Sequence, residues 1–165
     1  MSQDAEKYRK WIREREAGRA AAIYYLGKAI IQELGEEKGT ALIVKQMEEM
    51  GHNFGKDTRK ANKRRGLDNS FRNYFSMNSG DSVYDFAWLG DTRKSDSDEV
   101  VVEFRYCPNA EEFRKLGKEA VKIGELFCNH IDDADIEGYN PDYECKRESS
   151  LNLDGVCRLH FRKKQ

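Results

Sequence analysis

Three of the four cysteines in this chain fall where reactive groups could be displayed. Cys107 opens a Pro-containing turn after a Val-rich stretch, EFRYCP (103–108). Cys128 lies in ELFCNHID, four residues before Asp132, so that thiol and carboxylate share one helical face if the helix continues. Cys157 begins a stretch in which Leu159 and Phe161 alternate with charged neighbours. A thiolate is a nucleophile and a metal ligand, and a nearby guanidinium such as Arg105 would favour it. The alternative is plain: a free cysteine behaves as a small apolar side chain and fills strand ends and cores. Packing of that kind accounts for Cys145. His130 reads as a surface residue rather than a base, and Asp132 could equally be a helix-end residue. Thiolates at 107, 128 and 157 with a histidine could hold a divalent metal such as zinc, although no spacing here is that of a recognised ligand pair.

Those residues need elements to position them. Tyr8, Trp11, Ile12, Ala22, Ile23, Leu26 and Ile30 recur at helical spacing and predict a helix over 4–34, closed by Gly35. A second helix is expected over 36–50, with Gly51-His52-Asn53 breaking it. Residues 56–65 hold six Lys/Arg and one Asp. They read as a solvated helix rather than a nucleic-acid footprint, because no recognition motif accompanies them. Leu67, Phe71, Tyr74 and Phe75 offer a short apolar stripe. From Ser82 the period changes. VYDFAWL (83–89) and EVVVEFRY (99–106) alternate as strands, with GDTRKSDSD as a polar connection between them. Val100, Val102, Phe104 and Tyr106 share one face of the second strand; Val101, Glu103, Arg105 and Cys107 share the other. Asn109 is placed to cap a helix over 110–127. That helix carries an apolar stripe from Phe113 to Phe127, beside a small-residue stripe (Gly117, Val121, Gly124, Cys128) open to close approach. Two further strands follow, YECKRESSL and VCRLHFRK. The expected fold is α+β: N-terminal helices, then a four-stranded, mainly antiparallel β-β-α-β-β sheet packed with helices. It forms a single domain over 1–165, with a helical leader at 1–78 and the α+β part at 79–165.

Composition bounds the function. Charged residues make up 36% and hydrophobic ones 38% of 165 residues, no apolar run reaches a membrane span, and the N-terminus has no apolar signal core. Reduced cysteines in a cytoplasm are therefore expected. The net charge of −1 conceals opposed halves: residues 1–78 carry 16 Lys/Arg against 11 Asp/Glu, and residues 79–165 carry 13 against 19. Such halves could attract one another within the monomer or between subunits of a homo-oligomer.

The C-terminal pattern resembles the L-2-amino-thiazoline-4-carboxylic acid hydrolase family. The resemblance rests on Cys107-Pro108, Gly117, Cys128-x-x-x-Asp132, Asn140-Pro141 after Tyr139, Arg147, and Cys157 followed by Leu159 and Phe161, with LGEEKGTALI (34–43) similar to the family's helical leader. Two features depart from the family pattern. The order before the last cysteine is Asp154-Gly155 rather than Gly-Asp, and Glu148-Ser149-Ser150 replaces a Thr-rich stretch. The resemblance implies a hydrolase acting on carbon–nitrogen bonds other than peptide bonds, which opens a small cyclic amidine or thiazoline. It would draw its catalytic groups from Cys107, Cys128, Asp132 and Cys157, and its substrate contacts from Asn140 and Arg147; Arg105, near Cys107 in the chain, is a further candidate for substrate contact. In that chemistry Cys107 would serve as nucleophile or water activator, Asp132 as general acid/base and Arg147 as carboxylate anchor. A ligand-binding module on the same fold, and an adaptor acting through residues 56–65, are the competing readings.

Overall fold

The computed structural model describes residues 3–78 and 88–165. Helix α1 (Gln3–Leu34) and helix α2 (Glu36–Arg64) form an antiparallel pair joined at Gly35, whose φ of 79° is a conformation glycine adopts without strain. The helix α3 (Phe71–Asn78) follows, then strands β1 (Leu89–Ser95) and β2 (Glu99–Tyr106), helices α4 (Pro108–Leu116) and α5 (Lys118–Tyr139), and strands β3 (Tyr143–Ser149) and β4 (Cys157–Lys163). The sheet is antiparallel throughout, in the order β1-β2-β4-β3. The α+β architecture expected from the periodicities is the one observed.

α5 is the axis of the molecule. One side packs on the inner face of the sheet, in a core containing Phe71, Tyr74, Val100, Ile136, Tyr139, Leu159 and Phe161. Its other side meets α1, α2 and α4 in a second core built on Ala20, Tyr24, Phe113, Ala120, Ile123 and Phe127. The apolar stripe expected from Phe113 to Phe127 supplies that second core.

Four expectations require correction. α2 runs through Gly51 without a break. A helical glycine costs only about 1 kcal/mol relative to alanine, and here it permits contact with α5. A Cβ on Gly55 would lie 1.9 Å from the Asp135 carbonyl oxygen, and one on Gly51 2.6 Å from that of Ile131. Secondly, the helix expected over 110–127 is two helices. Gly117, at φ 104°, divides them; α4 starts at Pro108 with Cys107 as its N-cap residue, and α5 continues eleven residues beyond Cys128. Asn109 lies inside the first turn of α4. Thirdly, the first strand is the segment that read as a polar connection. β1 is an edge strand exposed along its whole length, so ladder bonds to β2 rather than alternating burial define it, and its charges protect the edge. Residues 83–87 of the expected strand lie outside the described residues. Lastly, β3 ends at Ser149, and Leu151 belongs to the following turn.

Candidate functional site

The interior between α5 and the sheet gathers groups from four elements. Cys107 comes from the β2–α4 junction, Cys128 and Asp132 from one face of α5, Arg147 from β3 and Cys157 from the start of β4. All four cysteines are unpaired. Each of Cys107, Cys128 and Cys157 feels the charge of Asp132, and Cys128 and Cys157 also feel that of Arg147. The register explains the meeting: Cys157 lies opposite Phe104 on β2, Arg147 lies opposite Leu159 on β4, and both side chains are on the face that α5 covers.

Burial dominates the electrostatics. It pushes the Cys128 thiol well above the ordinary range, against the pull of Arg147, and raises Cys157 to about 11. Cys107 is raised by burial too, although the Ala110 and Asn109 backbone amides and the Trp88 indole favour its thiolate. The expectation that Arg105 activates Cys107 is corrected here. Arg105 points off the opposite face of β2, 3.2 Å from Asp91, and these cysteines rest as thiols. Asp132 is raised to about 6 by burial, opposed by Arg147 and by Arg19 of α1. One turn further along, Asp135 is raised to about 7 by burial and by Asp132, with a hydrogen bond to Tyr74; its Oδ1 is buried without a partner. Two carboxyls that exchange protons near neutrality therefore line one face of α5.

Arg147 is held in a cage. Its Nη1 donates to Asn129 Oδ1 (2.9 Å) and lies 3.1 Å from Glu125 Oε2, while its Nη2 donates to Glu125 Oε1 (3.3 Å). Glu125 in turn accepts from Ser150 Oγ (2.7 Å) and Asn152 Nδ2 (2.8 Å). The two departures from the family pattern sit around this cage. Asp154 Oδ2 accepts from the Ser150 amide at 2.7 Å, and Gly155 takes the positive φ of the turn into β4. Asn140 lies elsewhere. It is twelve residues, or about 18 Å, beyond Cys128 on α5. Its Nδ2 donates to the Asn69 carbonyl and its Oδ1 accepts from the Asp142 amide, which fixes the turn before β3.

Sequence reasoning missed Glu125, Asn129, Ser150 and Arg19. Glu125 and Asn129 precede and follow Cys128 on α5, and an i, i+4 pair that brackets a candidate thiol was the available signal. Arg19 gave none, because on a helix of alternating charge it reads as a solvent residue. Asn109 links α1 to α4, donating to the Glu16 carbonyl (2.8 Å) and accepting from Arg19 Nη2 (3.0 Å). A groove of about 590 Å³ runs between these two helices. Its lining mixes Lys7, Arg13 and three ion pairs (Arg9–Glu6, Lys10–Glu14 and Lys115–Glu111) with Tyr106 and Pro108, the two chain neighbours of Cys107.

Among the described residues no group of three or more His, Cys, Asp or Glu side chains is arranged to hold a metal ion. The histidines pair with glutamates instead: His52 with Glu137, His130 with Glu48, His160 with Glu99 and Glu148. Nor is any described helix long and apolar enough to cross a membrane.

The sequence pattern of the L-2-amino-thiazoline-4-carboxylic acid hydrolase family matches residues 15–161. The chain belongs to this family. The matched span includes the whole thiol–carboxylate–guanidinium cluster and most of α1. No curated protein is measurably similar to the chain in sequence. The fold is also that of a solved trafficking protein particle complex subunit 3 from Naegleria fowleri, covalently bound to palmitic acid. The two share 16% identity at a TM-score of 0.53, over 92% of this chain and 96% of that one.

Proposed function

We propose that the protein hydrolyses a small cyclic C–N substrate of the amidine or thiazoline type, at the cluster of Cys107, Cys128, Asp132 and Cys157. One observation carries this reading: a half-buried carboxyl whose pKa is raised to about 6, and whose charge three thiols feel, lies inside the span that carries the family pattern. A base that titrates near neutrality is what a protonated thiol or a water molecule needs for activation. Asp132 takes the proton from the Cys107 thiol or from water as the new bond forms at the ring's sp² carbon. It returns that proton to the ring nitrogen or sulfur as the ring bond breaks. If Cys107 attacks, water then releases the adduct and regenerates the thiol. Arg147 supplies a fixed positive charge beside Cys128 and Cys157. Asn140, which the resemblance assigns to substrate contact, and Arg105 would act only from outside this cluster.

The test is ring opening of 2-amino-thiazoline-4-carboxylate and related cyclic amidines, under reducing conditions, by the wild type, Cys107→Ser and Asp132→Asn, with and without a chelator. Loss in Asp132→Asn of at least about 100-fold supports the reading, and equal rates in all three proteins overturn it. A rate lost only on chelation would turn the cysteines from nucleophiles into metal ligands.

The second reading is a ligand-binding module. It is favoured by the resting thiol state of the cysteines, by the engagement of Arg147 with Glu125, and by the neighbour of the same fold that holds a fatty acid covalently. Retained binding with no turnover in the wild type selects it.

A further inference from the structure

α1 carries apolar side chains on two opposite faces. Ile12, Ala20 and Tyr24 are buried against the rest of the molecule, whereas Tyr8, Trp11, Tyr25 and Leu26 are 66%, 54%, 60% and 67% exposed. The outward apolar group on α1 sits among charged residues and is left without a cover among the described residues of the chain. The outward residues follow a heptad seam. Tyr8, Trp11, Arg15, Gly18, Ala22 and Tyr25 alternate in steps of three and four, the series continues to positions 29 and 32, and every member is exposed. That spacing belongs to a helix packed lengthwise on another helix, and α1 offers 32 residues of it.

We infer that this seam joins two copies of the chain, with α1 of one packed antiparallel on α1 of the other. The seam is complementary to its own reverse. Turned end for end about Ala20, it sets Gly18 against Ala22, Arg15 against Tyr25, Trp11 against Ala29 and Tyr8 against Gln32. Each first-register position meets a second-register position, as a two-fold axis requires. Small residues meet at the axis, where the helices come closest, and the larger rings face smaller partners or a cation. Arg15 is already held over the Trp11 ring at 5.1 Å, so its guanidinium is in place to stack on Tyr25 of the second copy.

Charge selects the same arrangement. Residues 4–15 carry five Lys/Arg against three Asp/Glu, while residues 28–38 carry two Lys against three Glu. Antiparallel packing brings the basic end of each copy to the acidic end of the other, with Lys7 level with Glu33. Parallel packing would place like charges together.

The test is sedimentation velocity on the full chain over a wide concentration range. The wild type is expected at twice the monomer mass of 19.2 kDa. Ala22→Arg and Tyr25→Asp change only exposed positions and should leave the circular dichroism spectrum intact, while weakening self-association at least about 100-fold. Lys7→Glu should weaken it several-fold, and adding Glu33→Lys should restore it, which tests the register. A wild type that stays at 19.2 kDa at every concentration overturns the inference. So does a dimer indifferent to Ala22→Arg, or one that Leu153→Asp, in an exposed turn far along the chain, disrupts equally.

Discussion

Two carboxylates on neighbouring elements show how differently this molecule treats the same chemistry. Glu103 projects from the outer face of β2, where the Arg158 and Arg93 guanidinium groups donate to it and hold its pKa down at about 2. Asp132 projects from α5 into the interior, where burial outweighs the pull of Arg147 and Arg19 and lifts its pKa to about 6. The outer face assembles charges in water, and Glu103 finds its partners there at little cost. The inner face takes its charges out of water and partners them incompletely. The first arrangement leaves a carboxylate inert at neutral pH. The second leaves one ready to give or accept a proton, at the expense of stability. Perturbation alone does not mark a site, since Glu103 is as far from its ordinary value as Asp132. Direction and burial distinguish them.

The largest effect expected is on the backbone contact that supports the inner face. Gly55→Ala forces a methyl group into the Asp135 carbonyl and should destabilise the fold by about 3 kcal/mol or more, read as a fall in the denaturant midpoint. Arg105→Ala on the outer face should change stability by less than about 0.5 kcal/mol, leaving the midpoint nearly where it was. A tolerated Gly55→Ala would mean that the α2–α5 crossing does not hold Asp135 in place.

Next comes a trade between activity and stability. Asp132→Asn removes the proposed base, so turnover should fall at least about 100-fold. The same change removes a buried charge and should stabilise the protein at pH 7 by roughly 2 kcal/mol. Glu103→Gln should leave turnover unchanged and gain no stability. If Asp132→Asn were destabilising at pH 7, Asp132 would belong with the outer, well-partnered carboxylates.

The pH profile of stability separates the faces again. Asp132 and Asp135 have folded pKa values of about 6 and 7, above the ordinary 3.8. The folded state therefore binds more protons than the unfolded state from about pH 4 to 7. Across that window these groups make stability fall as pH rises, and the Asp132→Asn/Asp135→Asn double variant should flatten the slope. Glu103 acts oppositely: its contribution is present above 4.5 and is lost as pH falls toward 2. Chemical denaturation at intervals across this range is the measurement, and a rising profile from pH 4 to 7 would contradict the burial of the α5 carboxyls. The smallest effect is that of salt. It should reduce the acid-side Glu103 contribution by screening Arg93 and Arg158, and leave the α5 slope nearly unchanged.

Much of this was legible in the residues. β2 appeared with its correct ends because Val100, Val102 and Phe104 alternate against charged neighbours, and the stripe from Phe113 to Phe127 marked a buried helical face. β1 was not legible, because an edge strand exposed on both sides has no alternation to display. Gly51 was misread for a related reason. A glycine that breaks a helix and one that lets another helix approach are identical in one dimension, and only the Ile131 and Asp135 carbonyls of α5 tell them apart.

The sequence by itself determined the fold class, the strand that ends just before Cys107-Pro108, and the shared face of Cys157, Leu159 and Phe161. Those follow from periodicity and chain geometry, which are local. Only the tertiary structure decided which charge each group feels. Arg105 is two residues from Cys107 in the chain but on the other side of the sheet. Arg19, more than a hundred residues from Asp132 in the chain, acts on it from α1. Side-chain alternation fixes a group's face only within the strand, and Cys107 lies past the end of β2; packing fixes what lies across from a group and how much water stays, and those two quantities set a pKa.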